Sequence, residues 1–229
     1  MKQDVIATFN QKKLSRSPIT MLTAYDYITA KCLDEVDIDM ILVGDSLGNV
    51  FAGHDTTLPV TLKDMIYHTK AVRRGAPDRF VVIDMPFMTT RISLEKSKKN
   101  AMKAIQETGA HAIKFEVNTQ DDIDTTQAIV KAGIPVMTHI GLTPQYIKTL
   151  GKYSVQGKTK QEADHLLDLA KSIEQAGSFS VVLEMIPPML AKTITEQLTI
   201  PTIGIGAGPH CDGQVLVTSD MLGLTPGNI

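Results

Sequence analysis

The chain has little cysteine: Cys32 and Cys211 are the only two among 229 residues. Their spacing fits neither a disulfide framework nor a structural zinc site, which points to a reducing, cytoplasmic setting. Long hydrophobic runs are lacking too; none approaches the roughly 20 apolar residues of a membrane helix. The opening Met1-Lys2-Gln3-Asp4 lacks the apolar core of a secretion signal. Neither sign of charge dominates. A formal net charge of −2 gives no electrostatic reason to expect nucleic acid or a membrane surface as partner. No GxxxxGK[ST] phosphate loop is present, and no linker or low-complexity stretch breaks the chain. With 43% hydrophobic and 21% charged residues, the composition is that of a soluble globular protein. We read residues 1–229 as one domain with ample core.

The pattern that recurs is a short apolar run ending in a polar residue. Met40-Ile-Leu-Val43 runs into Gly44-Asp45-Ser46. Such a run, bounded by a turn signal, suits a strand covered on both faces. Equivalent strands are expected at 19–23, 80–83, 112–116, 135–138, 180–183, 201–205 and 214–217. Helices are expected between them, after a short amphipathic helix at 4–15. Hydroxyl and acid stand at capping-box spacing in Thr61/Asp64, Thr119/Asp122 and Thr159/Glu162, and Ser93 is a further cap. In the helix after Thr159, the residues Ala163, Leu166, Leu167, Ala170 and Ile173 share one face.

Eight strands alternating with helices favour a parallel α/β fold, and the number favours a (β/α)8 TIM barrel. An open doubly wound sheet competes, and periodicity alone does not exclude it. Only about a dozen residues follow the eighth strand, so the eighth helix is expected to be missing.

In a barrel all strand ends open on one face, where active sites are built. Asp45-Ser46, Asp84, Lys114 with Glu116, His139 and Glu184 occupy those ends. Taken singly, Asp45 and Asp84 serve equally well as turn or capping residues, and His139 as a loop-end histidine. Lys114 and Glu116 lie on one face of a strand, where a structural ion pair is the plain alternative. Glu184 interrupts a buried run, which is costly unless the acid is paired. Carboxylate oxygens suit a hard ion such as Mg²⁺. The glycines of Gly204-Ile-Gly-Ala-Gly208 are a weak dinucleotide signal, and in a barrel they would allow backbone approach to a ligand.

Met21-Leu-Thr-Ala-Tyr-Asp26, Val43-Gly-Asp-Ser-Leu-Gly48, Thr57-Leu-Pro-Val-Thr-Leu62, Lys114-Phe-Glu116, His139-Ile-Gly-Leu-Thr-Pro-Gln145, Leu183-Glu-Met-Ile-Pro187 and Gly204–Val217 stand in order. Together they closely resemble the ketopantoate hydroxymethyltransferase family, over residues 18–224. The resemblance implies a barrel that transfers a one-carbon unit from 5,10-methylenetetrahydrofolate to 3-methyl-2-oxobutanoate, giving 2-dehydropantoate for pantothenate synthesis. It implies Mg²⁺ and a homo-oligomer, commonly a decamer. Asp45 and Asp84 would be metal ligands, with Glu116 holding the ion directly or through water. Ser46 and Lys114, with the aspartates, would contact the keto acid. Glu184 would be the proton acceptor and His139 a residue lining the site.

The departures are a second glycine absent near Lys152 and Ser154, and Thr218-Ser219 in place of a bulkier pair. A Mg²⁺-dependent lyase or mutase of the phosphoenolpyruvate mutase and isocitrate lyase group is an alternative, although neither cysteine lies in a comparable motif. A non-catalytic keto-acid binder is another, and it leaves Glu184 unexplained.

Overall fold

The computed structural model describes residues 5–225. α1 (Val5–Ser15) precedes β1 (Ile19–Thr23), α2 (Tyr27–Asp34), β2 (Met40–Val43), the single-turn α3 (Leu47–Val50) and α4 (Leu62–Gly75). β3 (Phe80–Asp84), α5 (Leu94–Thr108), β4 (Ala112–Glu116), α6 (Gln120–Lys131) and β5 (Val136–Gly141) follow. A 3-10 turn at Pro144–Tyr146 leads into α7 (Ile147–Leu150) and α8 (Lys160–Gln175). Then come β6 (Ser180–Glu184), α9 (Pro188–Gln197), β7 (Thr202–Ile205), β8 (Gly213–Leu216) and α10 (Thr218–Met221). The strands form a closed barrel in sequence order. Closure rules out the open doubly wound sheet. After β8 the described residues hold only the four-residue α10, so no full eighth helix is seen among them.

By contacts the chain divides into two compact units, one of residues 20–113 with 215–225 and the other of 5–19 with 114–214. In the first, β2 pairs in parallel with β1 and β3, placing Met40 opposite Met21 and Leu42 opposite Val82. All four β2 residues are buried. This is why the strand reads as an unbroken apolar run instead of an alternating one. α4 begins with the expected capping box: Thr61 accepts from the Asp64 N–H, and Asp64 returns a bond to the Thr61 N–H. At its other end a Cβ on Gly75 would lie 2.5 Å from the Tyr27 carbonyl oxygen, so only glycine permits this approach to α2.

In the second unit β5, β6, β7 and β8 pair in parallel, with His139 opposite Val182 and Gly141 opposite Glu184. Capping boxes at Thr119/Asp122 and Thr159/Glu162 start α6 and α8 as expected. The buried face of α8 is rotated from the one expected: Leu169 joins Leu166, Ala170 and Ile173, while Ala163 and Leu167 are half-exposed. α1 fully buries only Phe9, so it is less amphipathic than its sequence suggested. Polar contacts hold it in place: Lys13 Nζ donates to Asp212 Oδ2 at 2.7 Å and to the Thr195 carbonyl at 2.9 Å.

Several boundaries move for a physical reason. β5 and β7 begin after Pro135 and Pro201, which have no N–H to give a ladder. Asp84, His139 and Glu184 are themselves strand residues, since the ladder extends to their backbones.

Candidate active site at the strand ends

In the first unit the site residues stand on the turn after β2 and the end of β3. A Cβ on Gly44 would lie 2.8 Å from Ser46 Oγ, so the glycine lets that hydroxyl fold back over the strand end. Ser46 Oγ lies 2.9 Å from the Tyr25 hydroxyl, a hydrogen bond that either partner can donate. Burial pushes the Tyr25 phenol above its ordinary range, with the Ser46 bond acting in the opposite sense. Asp84 is 1% exposed and Asp45 7%. The Asp45 N–H donates to Asp84 Oδ2 at 3.3 Å, so the two acids are neighbours. Tyr25 carried no assigned role in the sequence, where only its position at a strand end could have suggested one.

In the second unit Lys114 and Glu116 are buried in β4, 6% and 2% exposed. Glu116 Oε1 accepts the Gln145 backbone N–H at 3.0 Å. That donor comes from the 3-10 turn and is invisible to side-chain reading. His139 Nε2 lies 3.1 Å from Glu184 Oε2, with the side chains 3% and 19% exposed. The distance suits charge pairing, but the alignment falls short of a hydrogen bond, and neither ring nitrogen makes one. Glu184 therefore ends a buried strand with one loosely engaged neighbour.

The backbone around Glu184 is tightly determined. Met185 has φ +48°, left-handed for a residue other than glycine, and is tied by N–H to the Ile205 carbonyl and by its own carbonyl to the Gln156 N–H. Gly141 has φ +97°, and a Cβ there would meet the Glu184 carbonyl oxygen at 2.2 Å. The Leu142 N–H donates to that same oxygen at 2.8 Å. Such strain persists where the surroundings over-determine it, and it gathers at functional positions. The glycine loop after β7 serves this segment as well. A Cβ on Gly206 would lie 2.7 Å from Met185 Sδ, and one on Gly208 2.6 Å from Pro188 Cβ. Those glycines make room for the protein's own chain, where the sequence suggested room for a ligand.

Among the described residues no group of three or more His, Cys, Asp or Glu stands ready to hold a metal ion. Asp45 and Asp84, two buried acids linked through the Asp45 N–H, have the oxygen chemistry that suits a hard cation which keeps several waters, since Mg²⁺ is commonly held by one or two carboxylates plus substrate.

A model of the ketopantoate hydroxymethyltransferase family matches residues 3–229. The chain belongs to the ketopantoate hydroxymethyltransferase family. It is 54% identical over 228 residues to 3-methyl-2-oxobutanoate hydroxymethyltransferase of Thermoanaerobacter pseudethanolicus (strain ATCC 33223 / 39E), covering 99% of this chain and 83% of the relative. The Bacillus cereus (strain G9842) enzyme of the same name is 55% identical over 214 residues, covering 93% and 77%. Among solved structures, phosphonopyruvate hydrolase complexed with oxalate and Mg²⁺ superposes with a TM-score of 0.71 at 10% identity, covering 96% of this chain and 83% of that one. A 2,3-dimethylmalate lyase of the phosphoenolpyruvate mutase and isocitrate lyase superfamily gives 0.67 at 14%, covering 96% and 82%. The family is thus marked in sequence, whereas these enzymes share the fold alone.

Proposed function

We propose that this chain transfers a hydroxymethyl group from 5,10-methylenetetrahydrofolate to 3-methyl-2-oxobutanoate, giving 2-dehydropantoate for pantothenate synthesis. Membership of the family over nearly the whole chain carries the reading. The polar strand ends supply the residues for it. Asp45 and Asp84 would hold Mg²⁺, with Glu116 holding it directly or through water. When bound, the ion supplies a Lewis acid for the keto oxygen. Ser46 and Lys114, with the two aspartates, bind the keto acid. The Lys114 ammonium stabilises negative charge that develops as the enolate forms, a contribution of several kcal/mol in a dry site.

Glu184 accepts the C3 proton, on the carboxylate oxygen turned away from His139. A positioned base contributes roughly 10²–10⁴-fold, about 3–5 kcal/mol. With a proton on Nε2, His139 turns a polar N–H toward Glu184 Oε2 and orients the carboxylate. The enolate carbon then attacks the one-carbon unit of the folate, and hydrolysis frees the product. No helix among the described residues is long and apolar enough to cross a membrane. A cytoplasmic homo-oligomer, a decamer on the family resemblance, is part of the same proposal.

The test is proton exchange at C3. The protein, 3-methyl-2-oxobutanoate and Mg²⁺ are incubated in D₂O and followed by NMR, and the folate donor is then added. Exchange that stops on chelating the ion, followed by product on adding folate, is expected. Exchange without product would leave an enolising enzyme of another kind; neither would leave a keto-acid binder.

A further inference from the structure

At the opposite ends of its strands, the unit of residues 5–19 and 114–214 carries a pocket of about 700 Å³. That volume lies within the range of small-molecule sites. It is lined by the end of α1, the second half of α9 and the segment before β8. Its lining holds four permanent cations, Lys12, Lys13, Arg16 and Lys192, against two acids, Glu196 and Asp212.

The cations are not equivalent. Lys13 is spent on structure, because its ammonium joins Asp212 Oδ2 and the Thr195 carbonyl. Asp212 Oδ2 also accepts from the N–H and the hydroxyl of Thr202, at 2.8 and 3.0 Å. These bonds fix the floor. Lys192 Nζ keeps a loose, exposed contact of 3.9 Å with Glu196. Arg16 differs from both. It ends α1 with φ +55°, its N–H donating to the Lys13 carbonyl and the Ser17 N–H to the Lys12 carbonyl. This is the paired ending that normally places glycine at the left-handed position. Arginine there carries a conformational penalty glycine would avoid. Among the described residues no acid or carbonyl engages its guanidinium, which lines the pocket.

We propose that this pocket binds a small, multiply charged anion of the phosphate or carboxylate class, with the Arg16 guanidinium as its principal ligand and Lys192 in support. A rigid floor and an excess of positive charge are features such a site needs, and at Arg16 an arginine stands where the left-handed backbone would more easily take glycine. The fork of a guanidinium matches either head group in a two-pronged way.

The proposal makes two effects of one substitution run in opposite directions. Arg16→Gly relieves the backbone, so its melting temperature without anion is expected to equal or exceed that of the parent. The same change is expected to weaken anion binding about tenfold or more, the usual cost of a lost charged hydrogen bond. Binding of inorganic pyrophosphate and of citrate is measured by calorimetry on the full chain, freed of metal beforehand by chelating resin, at constant ionic strength. Saturable binding of either anion, lost in Arg16→Gly and reduced in Lys192→Ala, is the expected result, and the preferred anion identifies the head group. Failure of both anions to saturate, or equal binding by Arg16→Gly, would overturn it.

Discussion

Two acids in one unit of this protein stand at opposite ends of β6 and β8, the strands that flank β7, and are treated very differently. Asp212, just before β8, has one oxygen that accepts three bonds, from Lys13 and from both donors of Thr202. Glu184, closing β6, has a single neighbour, His139, at 3.1 Å and out of line. Their exposures are close, 13% against 19% for the side chains, so burial does not explain the contrast. A carboxylate oxygen that already accepts several bonds has its lone pairs committed, whereas one with a loose neighbour leaves an oxygen open to a substrate. The saturated acid is a structural joint, and the unsaturated one is the acid proposed as the base.

The largest effect should come from Glu184→Gln. The side chain keeps its shape and loses its basicity, so C3 proton exchange is expected to fall by about 10²–10⁴-fold. The melting temperature should hold, because few bonds are lost. An NMR exchange rate equal to that of the parent would end the contrast. Asp212→Ala should behave the other way round. Removing it takes the counter-ion from the Lys13 ammonium and leaves the Thr202 N–H without its acceptor, at about 2–4 kcal/mol, less than for full burial because both members of the ion pair meet some solvent. A thermal melt should fall by several degrees. Exchange measured well below the melt should be unchanged. A drop in exchange with no loss of stability would reverse the assignment of the two acids.

A third acid sharpens the rule. Asp122 Oδ2 accepts from the Asn118 N–H, the Thr119 N–H, the Thr119 hydroxyl and the Tyr146 hydroxyl. Saturation here is redundant, so Thr119→Ala should cost only the cap, about 1 kcal/mol, in chemical denaturation. A loss as large as that of Asp212→Ala would mean that the number of donors says little about which acids carry structure.

These differences were only partly legible in the sequence. Thr119 with Asp122 could be read directly, since a capping box is set by a spacing of three residues within one helix. The strands were legible for a related reason: β2 is buried on both faces and so is written in apolar residues alone. Asp45, Asp84 and Glu184 could be found as acids ending such runs. What could not be read was how each acid is met. The donors to Asp212 come from α1 and β7, and the Gln145 N–H that meets Glu116 belongs to a backbone turn far along the chain. Arg16 was hidden because its left-handed backbone contradicts its residue type. The motion of α8's buried face by one leucine has the same origin, since packing, not periodicity, decided that Leu169 turns inward.

The smallest effect extends the comparison to the other unit, where Tyr25 and Ser46 share one hydrogen bond. Tyr25→Phe deletes that bond while Ser46 remains free to turn, so at neutral pH the loss should be about 0.5–1 kcal/mol. The pH dependence is more telling. Burial raises the Tyr25 pKa, so the folded protein keeps its phenolic proton where the unfolded chain has lost it. Stability from this group is therefore complete below about pH 10, the ordinary value for tyrosine, and falls as pH rises toward the folded value. Urea denaturation across that range should give a parent curve that declines more steeply than that of Tyr25→Phe. Parallel curves would mean that the phenol ionises as freely in the fold as out of it. Ser46 would then sit beside an ionisable neighbour, not beside a fixed neutral donor, and the hydroxyl proposed to grip the keto acid would lose its anchor.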